Sequence, residues 1–182
     1  MAKENKTIYA ILGFLNHEEM TGYDIKKRID TSLKYFWDAG FGQIYPSLKT
    51  LEQNGLVQCR SMASSTGPER ITYSITDKGR KELADWLSKP VEKEQTKYEI
   101  LLKLFFGSAA NKEDNIGIIS EFKQRNAETL GLFEAYGSEL GKILDGSDDH
   151  VYYYLTVLFG QKVMKAYLEW ADEAIEILGS RK

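Results

Sequence analysis

Residues 40–57, GFGQIYPSLKTLEQNGLV, combine one apolar face with an outer face that holds no carboxylate in its first twelve residues. Ile44, Leu48 and Leu51 have the spacing of a buried helical stripe. The opposite face carries amide, hydroxyl and ammonium groups, which belong to Gln43, Tyr45, Ser47, Lys49 and Thr50. Amides and hydroxyls hydrogen-bond to base edges, and ammonium groups bind phosphates. The pattern therefore predicts a helix, beginning at Gln43, whose outer face reads DNA.

Each side chain of this face has a chemistry that suits one part of a DNA duplex. Gln43 can pair bidentately with adenine, and the hydroxyls of Ser47 and Thr50 can bond several bases. Lys49 and the Tyr45 hydroxyl are expected to bind phosphates, which positions a protein without specifying a sequence. Further contacts to the DNA backbone or the minor groove are expected outside this helix, at Tyr23, Lys34, Arg60 and Arg70.

Several of these side chains also have an interpretation that involves no DNA. Tyr45 can pack against the first helix, because aromatic side chains are commonly buried. Arg60 and Arg70 can form a solvated strand face. Residues 1–90 hold 13 Lys and Arg against 11 Asp and Glu, whereas residues 91–182 hold 11 against 16. An anionic partner should therefore meet the first half, although a balance of +2 favours such a partner only weakly.

A β-hairpin and several helices are predicted to position the candidate residues. In chain order the pattern indicates a helix over residues 7–15, a helix capped by Thr21 and Asp24, the helix from Gln43, strands over residues 56–61 and 70–75, and a helix capped by Thr76. Pro46 is expected in the first turn of its helix, where its missing N–H costs little. Leu83, Trp86 and Leu87 are expected to face inward. This order is that of a winged helix-turn-helix domain over residues 1–90.

Residues 91–182 contain no strand pattern and are predicted to form a helical dimerisation domain. Residues 98–106, YEILLKLFF, are apolar on most sides and predict a buried helix. Two longer helices are expected, from Asn111 to about residue 144 and from about residue 149 to 178. Their apolar stripes are too wide for a helix pair alone, so part of the surplus should meet a second copy of the chain. The dimerisation candidates are Leu155, Leu158, Phe159, Val163, Tyr167 and Trp170. The predicted fold class is mainly α with a small β-hairpin wing.

The sequence contains no recognisable catalytic or metal-binding pattern. It has two histidines and one cysteine, and it lacks a Gly-rich phosphate loop and a Gly-x-Ser-x-Gly turn. Residues 145–150, DGSDDH, depart from the calcium-loop pattern, so Asp148 or Asp149 is expected to cap a helix instead. Cys59 is expected to be a small buried residue in a reducing cytoplasm. No signal peptide or membrane span is expected. The chain is therefore predicted to be a cytoplasmic non-enzyme without cofactor or metal.

IYPSLKTLEQNGLV, followed by TYSITDKGRKEL, closely resembles the winged-helix core of PadR-like transcriptional regulators. TGYDIKKRI and LLKLFFG match the same family, and the length and helical tail resemble its longer, Vir-type subgroup. The resemblance implies DNA contacts at Tyr23, Gln43, Tyr45, Ser47 and Lys49, together with the wing. Glu69 before Arg70 departs from the more basic stretch that the family usually carries there, which weakens the expected contribution of the wing.

The resemblance also implies partners. It implies a homodimeric repressor, more rarely an activator, that binds a palindromic double-stranded DNA operator and dimerises through its C-terminal helices. Some relatives sense phenolic acids or planar hydrophobic drugs near the dimer interface. The aromatic residues of the last helix could line such a pocket, although a core or a dimer interface explains them more simply. The alternative from another class is a winged-helix protein-interaction module without sequence-specific DNA binding.

Overall fold

The computed structural model describes residues 5–62, 70–92 and 96–180, apart from the side chains of Met62 and Arg70. The chain divides into two compact units, Met1–Lys93 and Glu94–Lys182. The first contains α1 (Thr7–Leu15), β1 (Met20–Thr21), α2 (Gly22–Arg28), a π-helical turn (Ile29–Leu33), α3 (Phe41–Gln53), β2 (Val57–Met62), β3 (Arg70–Ile75) and α4 (Asp77–Leu87). The second contains α5 (Glu99–Phe105), α6 (Lys112–Gly141) and α7 (Asp148–Ser180). The predicted fold class is confirmed, and no described helix is long and apolar enough to cross a membrane.

The core of the first unit lies between its first three helices. Its fully buried apolar side chains are Ile11 and Leu12 of α1, Ile25 of α2, and Ile44, Leu48 and Leu51 of α3, together with Ile29 of the π-helical turn. Helix α4 covers another side of this core with Leu83, and Trp86 stacks on Tyr9 with 4.4 Å between ring centroids. Leu87, which was expected to face inward, is exposed because it is the last residue of α4 and extends beyond this contact.

The beginnings of α2 and α3 fix the helix-turn-helix. Thr21 and Asp24 form the predicted capping box, because the Thr21 hydroxyl accepts from the Asp24 N–H at 3.1 Å and the Asp24 carboxylate accepts from the Thr21 N–H at 3.2 Å. Helix α3 begins at Phe41, two residues earlier than predicted. Pro46 consequently lies in the second turn and cannot donate the helical hydrogen bond to the carbonyl four residues back.

The sheet has three antiparallel strands in the order β1-β3-β2. Sequence patterning predicted the hairpin of β2 and β3 but missed β1, which pairs Met20 with Tyr73 and consists of only two residues. Along β3, Ile75 is buried whereas Ile71 is exposed. The hairpin therefore leaves the core as it extends toward residues 63–69, which lie outside the described residues.

A single hydroxyl joins α3, β2 and α4. Gly55, with φ of 68°, follows the end of α3 in the left-handed conformation. The Thr76 hydroxyl accepts from the Gly79 N–H at 3.1 Å and lies 2.8 Å from the Gly55 carbonyl oxygen and 3.1 Å from that of Leu56. A β-carbon at Gly79 would lie 2.1 Å from the Leu56 carbonyl oxygen. This junction, Gly55–Leu56–Thr76–Gly79, holds the three elements against one another.

The two predicted long helices of the second unit are confirmed, and α6 and α7 pack against each other as an antiparallel pair. The Asn111 side chain accepts from the Asp114 N–H at 2.7 Å and begins α6. The two helices approach closely where the ring of Phe133 lies on Gly160, and where Gln161 Nε2 donates to the Phe133 carbonyl at 2.9 Å. Helix α7 begins after Ser147, whose hydroxyl accepts from the Asp149 N–H at 3.3 Å. The expected cap at Asp148 or Asp149 is therefore wrong.

Helix α5 forms where expected, but the prediction that it is buried is wrong. Ile100 and Leu104 are half-buried, whereas Leu102 and Phe105 are exposed, and Phe105 retains 82% of its accessible surface. Apolar side chains project from most sides of α5, and packing within one chain covers only one of them. Leu102 and Phe105 therefore form an apolar side of α5 that is open to water in the single chain.

Candidate nucleic-acid interface

The outer face of α3 carries most of the predicted DNA-contacting residues. Gln43, Tyr45, Lys49 and Thr50 are all exposed. The Thr50 hydroxyl donates to the Pro46 carbonyl at 3.0 Å, so its oxygen remains available only as an acceptor. No acidic residue occupies the first turn, and the first carboxylate along the helix is that of Glu52. The face is therefore polar and free of negative charge over most of its length.

Ser47 does not belong to this face, and the prediction that it contacts DNA is wrong. It is 0% exposed, and its hydroxyl donates to the Gln43 carbonyl at 2.6 Å and accepts from Asn5 Nδ2 at 2.8 Å. Positions 44, 47, 48 and 51 together have the i, i+3, i+4, i+7 spacing of a buried helical face, so the sequence did contain a signal for this burial. Ser47 therefore ties the buried face of α3 to Asn5 in the N-terminal segment.

Gln43 takes part in a cap at the start of α3. Its Oε1 accepts from the Gly40 N–H at 3.2 Å, which satisfies one of the backbone donors that a helix start leaves open. The Nε2 amine is the part of the side chain that this bond leaves for other acceptors. Bidentate pairing with adenine requires Oε1 to accept a second hydrogen bond or to leave the cap. In the free protein, Gln43 can therefore form a new hydrogen bond most readily by donating from Nε2.

Three aromatic rings extend this face toward α2. Tyr23 is 65% exposed, Phe41 43% and Tyr45 50%. The Tyr23 and Phe41 rings have centroids 6.4 Å apart, and those of Phe41 and Tyr45 are 5.9 Å apart, with interplanar angles of 18° and 22°. Tyr45 also lies against Gly22. Sequence reasoning overlooked Phe41, although an aromatic pair four residues apart on one helix was a readable signal.

The remaining basic candidates lie on other elements. Lys34 is exposed directly after the π-helical turn, with Nζ 4.9 Å from the centroid of the Tyr35 ring. Arg60 is exposed on β2, opposite Thr72 of β3. Arg70 begins β3, and its side chain lies outside the described part of the structure. Contacts between these three residues and DNA remain predictions.

Two further basic side chains of the first unit lie in ion pairs. Lys26 contacts Asp30, and Arg28 Nη2 lies 2.5 Å from Glu18 Oε1. Lys26 and Arg28 therefore already have anionic partners within the chain.

Cys59 is exposed on β2, so the prediction that it is buried is wrong. Its thiol donates to Glu52 Oε1 at 2.8 Å, and this hydrogen bond, followed by desolvation, raises the pKa of Cys59. The neighbouring Tyr73 has a raised pKa mainly because of burial. Neither group is therefore ionised at neutral pH.

The predicted dimerisation residues divide into two sets. Leu155 and Phe159 are exposed, and Phe159 retains 70% of its accessible surface. Leu158 and Val163 are half-buried, as are Tyr167 and Trp170. The rings of Tyr167 and Trp170 contact Phe122 of α6, with centroid distances of 5.4 and 5.7 Å. These two residues thus hold α7 to α6, and a role at a dimer interface stays a prediction for all six.

A small open cleft lies between the end of α5 and α6. It has a volume of about 280 Å³ and a mainly apolar lining that includes Phe106, Ala110, Asn115 and Ile118. Pockets for drug-sized ligands usually measure about 300–1,000 Å³, so the cleft has room for a small aromatic acid at most. Over the ranges that the structure describes, no three histidine, cysteine, aspartate or glutamate side chains converge as metal ligands.

The first unit is a winged helix-turn-helix, the class defined by three packed helices, a reading helix with an exposed polar face, and a β-hairpin wing. Residues 11–85 match the model of the transcriptional regulator PadR-like family, and residues 96–179 match that of the virulence activator alpha C-terminal domain. The negative transcriptional regulator PadR of Bacillus subtilis is 30% identical over 175 residues, which cover 93% of this chain and 96% of that protein.

Solved structures of relatives agree with this match. The crystal structure of Bacillus subtilis PadR in complex with operator DNA has a TM-score of 0.85 at 29% identity, covering 97% of this chain and 99% of that one. The crystal structure of the same protein with p-coumaric acid has a TM-score of 0.80 at 27% identity, covering 97% and 100%. The chain therefore belongs to the PadR-like family of transcriptional regulators.

Proposed function

We propose that this protein is a cytoplasmic, dimeric repressor that binds a palindromic DNA operator through α3 and has no catalytic activity. The observation that carries the proposal is the outer face of α3, which exposes Gln43, Tyr45 and Lys49 and holds no carboxylate before Glu52. A surface that only had to be soluble would not need to exclude acidic groups. A surface that approaches phosphates does, because each carboxylate would repel the DNA backbone.

The proposed DNA-binding residues have two roles: some read base edges, and others bind phosphates and position the protein on the duplex. Gln43 donates to base edges in the major groove, and Thr50 accepts from them. Lys49 and the Tyr45 hydroxyl bind phosphates beside the reading helix, and Tyr23 and Lys34 bind the backbone next to them. Arg60 and Arg70 contact the phosphates along the wing. Ser47 has no contact with DNA and instead fixes α3 against the N-terminal segment.

A second copy of the chain covers exposed apolar side chains of the helical unit. Phe105 of α5 and Leu155 and Phe159 of α7 are large apolar side chains that water covers in the single chain. Exposed large apolar side chains of this number favour an interaction site on the helical unit. A two-fold dimer also matches the symmetry of a palindromic operator, in which half-sites lie about one DNA turn apart.

The proposed effector is a phenolic or planar hydrophobic small molecule. Support comes from the relative solved with p-coumaric acid and from the apolar cleft beside Asn115. Binding of such a molecule to one arrangement of the dimer would shift the population away from the arrangement that fits the operator. Calorimetric titration with a panel of phenolic acids and planar dyes tests this part, and absence of heat across the panel would contradict it.

DNA binding is tested by fluorescence anisotropy on two duplexes. The selected duplex is one that the purified protein enriches from a random library, and the scrambled duplex has the same composition. We expect Gln43→Ala to weaken binding to the selected duplex specifically. We expect Lys49→Ala to weaken binding to both and to reduce the salt slope by about 0.9, the value for one phosphate contact. Lys81→Ala, which removes the same charge from an exposed site on α4, is the control.

Enrichment of no sequence, or equal affinity for the two duplexes, would contradict the proposal. That result would favour the alternative of a winged-helix module that binds another protein.

A further inference from the structure

The ring of Tyr45 occupies space that a β-carbon at position 22 would need. A β-carbon built on Gly22 would lie 2.7 Å from Tyr45 Cε1, 3.0 Å from Cζ and 3.3 Å from Oη. Carbon atoms in contact are about 3.5–4.0 Å apart, so the ring could not keep this place beside any other residue type. Gly22 is buried as the first residue of α2, and among the described glycines it is Gly55 that has a positive φ. Alanine would therefore fit the backbone of Gly22, and the three atoms nearest to its β-carbon all belong to the Tyr45 ring.

The other side of Tyr45 is also defined. Phe41, one turn earlier on α3, stacks on it with 5.9 Å between ring centroids, and Tyr23 continues the row on the far side of Phe41. Tyr45 is thus held between Gly22 and Phe41 although half of its surface is open to water. It lies on the same outer face as Gln43 and Lys49. An exposed side chain that is fixed in this way loses little conformational entropy when it binds.

We propose that Gly22 is a positioning residue for DNA binding, which acts through Tyr45 by holding its ring and hydroxyl in the orientation that α3 presents to DNA. This inference rests on the proposed function of the α3 face. A methyl group at position 22 moves an exposed ring outward, and the buried core does not have to rearrange. The substitution therefore changes DNA binding without weakening the fold.

The test is a double-mutant cycle in the full-length chain on the selected duplex. We expect Gly22→Ala and Tyr45→Ala each to weaken binding about five- to tenfold, the order of one lost hydrogen bond. The double variant should bind no more weakly than Tyr45→Ala alone, because Gly22 has no effect once the ring is absent. The thermal unfolding midpoint of Gly22→Ala should not fall. Gly13→Ala in α1, where a β-carbon meets no atom within 4 Å, is the matched control and should bind like the parent.

Three outcomes would overturn the inference. Parental affinity in Gly22→Ala would mean that the orientation of Tyr45 is unimportant for binding. Additive losses in the double variant would mean that Gly22 acts independently of Tyr45. A lowered unfolding midpoint, with the same loss of binding in the Tyr45→Ala background, would assign Gly22 a purely structural role. Failure of the proposed function is separate, because the parent itself would then bind the selected and scrambled duplexes equally.

Discussion

The cap formed by Gln43 allows its effect on stability to be separated from its effect on DNA binding. Gln43 Oε1 accepts from the Gly40 N–H at 3.2 Å, and the first turn of α3 contains no acidic residue. Gln43→Glu keeps an oxygen for this N–H and adds a negative charge at the helix N-terminus, which stabilises a helix by about 0.3–1 kcal/mol. For a chain of this length, that gain corresponds to a rise of about 1–4 °C in the unfolding midpoint.

The same substitution should weaken DNA binding. It removes the Nε2 donor and brings a carboxylate toward phosphates. One good base-edge contact is worth about 1–3 kcal/mol, so affinity for the selected duplex should fall by about 5- to 150-fold before repulsion is added. Affinity for the scrambled duplex should fall less, because only the repulsion acts there. Stability and affinity are thus expected to change in opposite directions.

Thermal unfolding and anisotropy on the two duplexes measure the two effects. Gln43→Ala is the companion variant, and it should lose both the cap and the donor, so that stability and affinity fall together. Parental affinity of Gln43→Glu for the selected duplex would refute the placement of Gln43 at the DNA surface. A lowered unfolding midpoint would refute the cap.

Two further predictions concern the helical unit. Gly160→Ala should destabilise the helical unit by about 1–3 kcal/mol in denaturant unfolding, because the new β-carbon would lie 2.5 Å from the buried ring of Phe133. Gly131→Ala is the control, because position 131 on α6 faces open space, and it should be neutral or stabilising. Burial, and then the 2.9 Å hydrogen bond to the Tyr98 hydroxyl, raise the pKa of Tyr167 to about 12. The stability that the folded state gains from keeping Tyr167 protonated should therefore be complete below about pH 10, which is the pKa of an unfolded tyrosine. It should be lost between about pH 10 and 12. Tyr98→Phe should lower the pKa of Tyr167, which a tyrosinate absorbance titration measures. An unchanged pKa of Tyr167 would contradict a role for the hydrogen bond to Tyr98.

The parts of the fold that could be predicted are those with local signals. The caps at Thr21, Thr76 and Asn111 each involve a backbone N–H within three residues, so the sequence window that holds the cap also holds its partner. The long helices α6 and α7 have apolar stripes that repeat over many turns. Periodicity and capping together therefore gave the order of elements and the reading helix.

The parts that were missed depend on distant residues. The spacing of positions 44, 47, 48 and 51 indicates that Ser47 is buried, but it gives no sign of the hydroxyl's partner, Asn5, which is 42 positions away. Strand β1 is two residues long and exists only through pairing with β3. The apolar sequence of α5 indicates that something covers it, but the covering surface need not belong to the same chain. The other contacts with DNA stay predictions, because the sequence shows which groups are suitable and not what they touch.

The junction at Thr76 has a consequence for how a duplex could be chosen. Its hydroxyl lies within hydrogen-bonding distance of the end of α3, the first residues leading into β2 and the first turn of α4. The reading helix and the base of the wing therefore keep a fixed separation before any DNA is present. In the proposed complex, the groove width of the duplex therefore has to adapt to this separation. Base steps that bend or narrow easily would then be favoured beneath the wing even where no side chain reaches a base edge.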